Sequence, residues 1–246
     1  MLSQQNLASL LDSILLLPSG WEARFDTIRS ISALKAPDES FWLLTWNVPQ
    51  EDGTYVFYGR IRLKNQGKEA GKLIVLSDAS GQLTKAGAKV LKADEWFGAL
   101  YYKIIKTRHK KTNYYTLLGW DGNTAFSNKK LIDVLSFMPD GSPRFGAPIF
   151  DDGKRLRHRV FFEHAEKASM SLRYQEKTGL IILDHLAPSQ PSLEGQYEFY
   201  SPDFTTDAFR FEKGKWIFIS NHEARNEDEG GGRPVKIERG LQPQKD

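Results

Sequence analysis

The first seventeen residues show the hydrophobic spacing of an amphipathic helix. Apolar side chains recur at the 3, 4, 7 intervals of one helical face, at Leu7, Leu10, Leu11, Ile14 and Leu17. Ser3 precedes this pattern as a helix cap, and Pro18 with Gly20 follows it as a stop signal. The spacing predicts one N-terminal helix within residues 1–19, packed by its leucine face on the rest of the chain.

From Trp21 onward the pattern changes to short runs rich in β-branched and aromatic residues, separated by Gly, Pro, Asp, Asn and Lys. It predicts strands near 23–34, 41–47, 54–64, 72–78, 99–107, 113–120, 129–137, 145–150, 156–164, 169–175, 179–185, 196–200, 206–212 and 215–220. Residues 79–97 suit a long loop or one short helix. Parallel strands need long crossover connections, so the short linkers indicate antiparallel hairpins. We therefore expect an all-β fold, an antiparallel meander of about 12–14 strands.

A weak internal repeat suggests how the strands are grouped. Residues 41–47 (FWLLTWN) resemble residues 115–121 (YTLLGWD), and each stretch has an extended run before and after it. The repeat favours four-stranded modules in a propeller-like series, and a β-sandwich or barrel remains the alternative. We expect one β-rich domain over 20–222, followed by a mobile charged and glycine-rich tail over 223–246.

The composition removes several classes of function. Lys and Arg number 34 against 31 Asp and Glu, a net charge of +3, which is smaller than a dedicated nucleic-acid-binding chain usually carries. There is no cysteine, which excludes disulfides, thiolate catalysis and thiolate metal sites. No apolar run approaches the ~18 residues of a membrane helix. Residues 10–17 are interrupted by Asp12 and lack a preceding basic residue, so we expect neither a signal peptide nor a membrane span.

A basic stretch is a candidate for binding nucleic acid. Between the tyrosine pairs at 101–102 and 114–115 lie Lys103, Lys106, Arg108, His109, Lys110 and Lys111. Basic groups interleaved with aromatic rings can hold a nucleic-acid backbone and stack on its bases. The same residues suit the solvated tip of a hairpin, which we favour. An anionic polysaccharide or lipid headgroup would serve such a tip as well as nucleic acid.

Motifs that carry chemistry are missing from the sequence. It contains no nucleophile elbow, Walker loop, dinucleotide-binding glycines or His-Glu-x-x-His helix. The turns at 121–123 (DGN) and 151–153 (DDG) bear carboxylates, but neither continues into the ligands of a calcium loop. Asp, Asn and Gly are common at hairpin tips because they tolerate positive φ. We expect no cofactor and no metal.

Two histidines could still approach each other across strands. Short loops at 165–168 and 176–178 would align three residues on one face, His164, Ser169 and His185, with residue 164 opposite 169 and 169 opposite 185. The same register, which places 174 opposite 180, would align Glu163, Met170 and Asp184 on the other face. A partly solvated sheet rim is the favoured interpretation, and a hydrolase or metal-dependent site is the alternative.

Aromatic residues offer a second candidate site. The rings that could form a sugar-stacking platform are those of Trp42, Trp46, Tyr55, Tyr58 and Trp120. Alternation places Trp42 and Trp46 on one face of their strand, and Tyr55 and Phe57 on one face of the next. Core filling is the favoured use of these rings. A ligand-binding role requires that several be exposed to solvent.

Residues 114–150 resemble a family of uncharacterised, exported, β-rich proteins of Bacteroidetes-type bacteria. The resemblance rests on LLGWDGN, KKLIDVLSF and RFGAPIF, and it extends over most of 20–220. It brings no assigned activity or catalytic residues. It implies a periplasmic or secreted location and a signal peptide removed from the mature chain.

These observations together favour a binding or structural module over an enzyme. We expect a non-catalytic, envelope-associated β-scaffold that contacts a glycan or a protein partner, with no nucleic acid bound. The alternative is a hydrolase or metal-dependent enzyme that uses His164 and His185 with the nearby carboxylates Asp184 and Glu163. The oligomeric state stays open.

Overall fold

The computed structural model describes residues 4–25, 28 and 30–222. Strands take up 50% of the structure and helices 14%. This confirms the predicted all-β fold with one N-terminal helix. The predicted cap Ser3 and the predicted mobile tail 223–246 lie outside the described residues.

The helix α1 (Gln4–Leu15) packs on the first sheet, and three residues of the predicted face, Leu7, Leu11 and Ile14, take part in the contact. Leu11 and Leu15 are buried, whereas Leu10 and Leu17 are 53% and 54% exposed. Because the helix ends at Leu15, Leu17 falls in the turn before a 3₁₀-helix at Pro18–Glu22. The prediction that Leu10 and Leu17 pack on the sheet was therefore wrong.

The described part of the chain contains fifteen strands in three sheets. The first sheet, in the order of its strands, consists of β1 (Ser32–Lys35), β2 (Phe41–Pro49), β3 (Tyr55–Leu63) and β4 (Leu73–Ser77). The second comprises β5 (Leu100–His109), β6 (Thr112–Asp121), β7 (Ser127–Phe137), β8 (Pro143–Phe145) and β11 (Val160–Ala165). The third comprises β9 (Phe150–Asp151), β10 (Leu156–Arg157), β12 (Leu172–Gln175), β13 (Leu180–Pro188), β14 (Tyr200–Glu212) and β15 (Lys215–Ile219).

Most predicted strands form close to their expected positions, with several differences. The strands expected at 145–150 and 156–164 are each divided into two strands of different sheets, β8 with β9 and β10 with β11. The strand expected at 23–34 is reduced to β1, because the chain before it makes turns that bury Phe25 and Ile31 beside α1. The strands expected at 196–200 and 206–212 are instead one strand, β14, preceded by a 3₁₀-turn at Tyr197–Phe199. The predicted loop at 79–97 contains three short 3₁₀-turns.

The two similar heptapeptides occupy equivalent places. Residues 41–47 lie in β2 and residues 115–121 in β6, and each of these strands is the middle one of three consecutive antiparallel strands. A uniform four-strand count does not recur, since the sheets have four, five and six strands. One pair, β15 with β9, is parallel. The propeller arrangement stays a prediction.

The five-stranded sheet is buried on both faces. Leu117 and Leu131 pack with the first sheet, while their neighbours Leu118 and Ile132 pack with the six-stranded sheet. Successive side chains of a strand point to opposite faces, so adjacent apolar residues here serve two cores. The three sheets are therefore layered, with the five-stranded sheet between the other two.

Candidate functional site

The pairing of β13 with β14 is interrupted at one point. The paired residues on either side of the interruption are Asp184 with Thr206 and Leu186 with Pro202. One residue of β13, His185, therefore faces three residues of β14. Residues 203–205 leave the ladder as an enlarged bulge, which we call the Phe204 loop.

Phe204 combines two unfavourable properties. Its side chain is 99% exposed, and its φ of 69° lies in the left-handed region. That region costs a residue with a Cβ atom about 1–2 kcal/mol. Asp203 Oδ1 accepts hydrogen bonds from the amide and the hydroxyl of Thr205, at 3.0 and 2.6 Å, and so holds the loop in this conformation. Neither burial nor backbone preference accounts for a phenylalanine here.

A histidine–carboxylate pair supports the base of the Phe204 loop. His185 Nδ1 donates to Asp207 Oδ2 at 2.7 Å, and Asp207 Oδ1 accepts the amide hydrogen of Asn221 at 2.9 Å. Asp207 is buried, and the His185 side chain is mostly so. Thr206 adds a hydroxyl bond to the His222 carbonyl. These contacts fix β13, β14 and the chain after β15 to one another beside the protrusion.

The predicted histidine row does not exist. His164 lies on β11, opposite Asn128 of β7 in the five-stranded sheet, whereas His185 lies on β13 in the six-stranded sheet. Because β11 pairs with β7, it does not form a hairpin with the next strand. The chain after β11 continues instead into the six-stranded sheet. The register of the next hairpin was also wrong by one residue, since Tyr174 pairs with Ile181 rather than with residue 180.

The carboxylates expected beside these histidines are likewise separated. Glu163 Oε1 accepts the Ser127 hydroxyl at 2.8 Å and the Asn123 side-chain amide at 3.0 Å. Asp184 Oδ2 accepts the amide hydrogen of Ser171 at 2.8 Å, in a different sheet. The four residues predicted as a hydrolase site thus lie in two sheets. Across residues 4–25, 28 and 30–222, no group of three or more His, Cys, Asp or Glu could hold a metal ion.

The five aromatic rings are divided between two faces of the first sheet. Trp42, Trp46 and Tyr58 pack on the helix side, where Trp46 stacks on Tyr58 at 5.5 Å between ring centroids. Tyr55 and Trp120 meet edge to face at 5.3 Å, on the side of the five-stranded sheet. Trp46 is buried and the other four are half-buried. The rings do not form one exposed platform.

The basic stretch is the tip of the β5–β6 hairpin, as predicted. Two of its lysines are paired with acids, Lys103 with Glu176 at 2.6 Å and Lys106 with Asp38 at 2.8 Å. Burial raises the pKa of Asp38, but hydrogen bonds from Lys106 and from neighbouring hydroxyls more than offset this effect and lower the pKa to about 2. Part of the basic charge of the hairpin is therefore neutralised within the chain.

The turn at 121–123 holds a carboxyl group with a shifted pKa. Burial raises the pKa of Asp121 to about 6, and the carboxylates of Asp78 and Glu163 add to the rise, against the nearby Lys129. Asp121 Oδ1 accepts the amide hydrogen of Asn123 at 2.8 Å, and Lys129 donates to the Asn123 side chain. Lys129 thus supplies the positive charge of this turn. At the other acidic turn, Asp152 pairs with Arg157 at 2.9 Å.

The Phe204 loop was not predicted from the sequence. Residues 201–205 lie between two predicted strands, and Pro202-Asp203 is a turn signal within them. The signal marks an interruption, but it does not say that the flanking strands are one strand or which side chain faces solvent. Asp207 was missed as well, because nothing in its local pattern distinguishes it from an ordinary surface carboxylate.

Comparisons of the chain with protein-family models, curated proteins and solved structures found no match. Within the described residues, no helix has the length and apolar character needed to cross a membrane.

Proposed function

We propose that the chain is a non-catalytic protein-binding module that inserts the Phe204 ring into an apolar pocket of its partner. The observation that carries the proposal is that a phenylalanine 99% exposed is held in a left-handed backbone conformation. Such conformations persist where the surrounding structure fixes them, and they cluster at functional sites. An apolar side chain on a fixed protrusion is suited to bind a concave apolar surface.

The energy of such a contact is sufficient for recognition. Burying a phenylalanine side chain contributes about 1.5–3 kcal/mol. Binding then requires little further ordering, because Asp203 fixes the loop and the His185–Asp207 pair fixes its base. A few buried aromatic anchors carry most of the energy of many protein interfaces.

The other predicted functions have less support. A glycan platform would need several exposed rings on one face, and the five candidate rings are divided between two faces. A hydrolase built on His164 and His185 would need the two imidazoles together, and they lie in different sheets.

The cellular location of the module rests on the resemblance of residues 114–150. That resemblance supports a periplasmic or secreted protein of the bacterial envelope, so we propose that the partner is met there. Fractionation of the source cells tests the proposed location separately from the Phe204 contact. We expect the chain in the periplasmic fraction or the medium, and its recovery only with cytosolic markers would refute the location without touching the Phe204 contact.

Site-specific photo-crosslinking in the source cells tests the contact. A benzoylphenylalanine is placed at position 204 in one variant and at position 126 in another, because Phe126 is also exposed, at 74%, but has an ordinary backbone. We expect a discrete crosslinked protein from position 204 and none of the same mass from position 126. Identical crosslinks from both positions, or none from 204, would refute the proposal.

A further inference from the structure

Lys130 has no carboxylate partner among the residues that the structure describes. It lies on β7, half-buried, with Nζ 5.0 Å from the centre of the Tyr102 ring. Tyr102 is fixed by a hydrogen bond from its hydroxyl to the Leu172 carbonyl at 2.9 Å. Among the residues that the structure describes, no acid lies within ion-pair distance of Lys130, whereas Lys103 and Lys106 each have one. Burial lowers the pKa of Lys130, because desolvation disfavours the ammonium form.

His164 places an unpaired nitrogen on the same face. Its Nδ1 lies 2.8 Å from the Ala165 carbonyl oxygen, and since a carbonyl only accepts, the proton must be on Nδ1. Nε2 is then a lone-pair acceptor, and it is buried with no hydrogen-bond partner in the described part of the chain. Burial and the charge of Lys130 lower the pKa of His164, although its bond to Ala165 opposes them. The neutral imidazole therefore persists at pH 7.

The strand register brings these two groups close. Lys130 lies directly opposite Phe162, and His164 is two residues further along β11. Residues two apart on a strand share a face, so His164 is the diagonal neighbour of Lys130, at a Cα separation of roughly 7–8 Å. Lys130 is half-buried, so part of its side chain is open to solvent, and its charge acts on the His164 imidazole.

We propose that Lys130 is a nucleophilic amine that condenses with small aldehydes, with His164 as its proton acceptor. The Nζ lone pair forms a C–N bond to the carbonyl carbon. His164 Nε2 relays the two Nζ protons in turn to the carbonyl oxygen, which leaves as water, and a neutral imine remains. No oxidant or reductant is consumed. A desolvated lysine without a counter-ion is the form of this side chain that Schiff-base chemistry uses. The site is independent of the Phe204 contact.

Reductive ethylation of the native chain tests the proposal by competition between its own lysines. The protein is incubated at pH 7 with acetaldehyde and cyanoborohydride, which traps the imine as an ethyl group, and each lysine is followed by peptide mass spectrometry. The reference is Lys154, which is exposed. Each unit by which a lysine pKa falls raises its unprotonated fraction about tenfold at pH 7. We expect Lys130 to react at least about fivefold faster than Lys154, and an equal or slower rate refutes the proposal.

The role of His164 is tested by His164→Gln in the same assay. We expect the excess rate of Lys130 to fall while the rate of Lys154 is unchanged, and an unchanged excess rate in the folded variant refutes the role of His164. If the variant does not fold, the pH profile of the wild-type chain provides the test instead. The Lys130 rate should level off at a lower pH than the Lys154 rate, and coincident profiles contradict the proposal.

Discussion

The buried ion pair at β7 and the Phe204 loop are opposite cases. In the ion pair, charged groups are buried, whereas in the loop an apolar group is exposed. Arg159 and Asp133 are fully buried, with Arg159 Nε 2.7 Å from Asp133 Oδ2. Asp133 also accepts the Tyr101 hydroxyl at 3.1 Å, and Arg159 Nη1 donates to the Ala86 carbonyl at 2.7 Å. Among the residues that the structure describes, Arg159 Nη2 has no hydrogen-bond partner, and Nε meets Asp133 as an ion pair without hydrogen-bond geometry. In the Phe204 loop, an apolar ring is exposed to solvent and its backbone is strained.

The contrast separates what stability explains from what it does not. A buried charge is tolerated when its partners are present, so the contacts of Arg159 account for its position. No contact of comparable kind accounts for Phe204, whose ring is almost entirely exposed. Features that lower stability without compensation are expected at sites kept for function.

Asp133→Ala should remove about 3–5 kcal/mol from the free energy of unfolding, because it leaves Arg159 buried without its counter-charge. Urea unfolding followed by tryptophan fluorescence measures the loss. The matched control is Asp140→Ala, since Asp140 accepts its hydrogen bonds from Ser142 in an exposed turn and its loss should cost far less. Equal losses for the two variants would show that the buried ion pair contributes no more to the free energy of unfolding than the exposed turn does.

The same contrast between packed and exposed groups can be tested on α1. Leu11→Ala should cost about 2–5 kcal/mol, because Leu11 is buried between the helix and the first sheet. Leu10→Ala changes an exposed neighbour and should stay within about 0.5 kcal/mol. Denaturant midpoints of both variants check the prediction. Similar midpoints would mean that the helix is merely attached to the domain.

Asp121 should make stability depend on pH. Its folded-state pKa is raised to about 6, so the folded chain binds this proton more tightly than the unfolded chain, whose carboxyl titrates near ~4. The stabilisation from Asp121 is therefore complete below pH 4 and lost as the pH rises through 6. Asp121→Asn should match the wild type at pH 4 and exceed its stability by about 2 kcal/mol at pH 8. A difference independent of pH would contradict the shift.

Phe204→Asn should stabilise the chain, which is the reverse of the usual effect of a substitution. Asparagine tolerates the left-handed region better than phenylalanine, and no buried contact is lost, so we expect a gain of about 0.5–1 kcal/mol. Thermal unfolding measures this gain. Phe126→Asn, at an exposed position with an ordinary backbone, should show no gain. A loss of stability in Phe204→Asn would mean that the ring supports the fold.

Much of the fold could be predicted from local pattern. The hairpin of β5 and β6 and the sheet of β1 to β4 follow from alternating apolar residues with turn signals at short loops. The partner of β11 could not be predicted, because pairing with β7 joins strands that are distant in sequence and leaves no local signal. This pairing places His164 in a different sheet from His185, so the prediction that the two histidines lie together was wrong.

The candidate site depended on information of a different kind. The sequence predicted separate strands at 196–200 and 206–212, but the exposure of Phe204 follows from the one-to-three mismatch between β13 and β14. The hydrophobic periodicity of one strand contains no information about such a mismatch, because the mismatch depends on how two strands pair. Lys130 likewise becomes distinctive only when the neighbours on adjacent strands are known.

The most direct test of the account is the affinity of the crosslinked partner for three chains. The partner is purified and titrated by calorimetry with the wild type, with Phe204→Ser and with Phe126→Ser. We predict that Phe204→Ser weakens binding by about 30-fold or more, since a hot-spot residue contributes at least about 2 kcal/mol. Phe126→Ser should bind as the wild type does. Equal affinity of Phe204→Ser and the wild type, with both chains folded, would contradict the account.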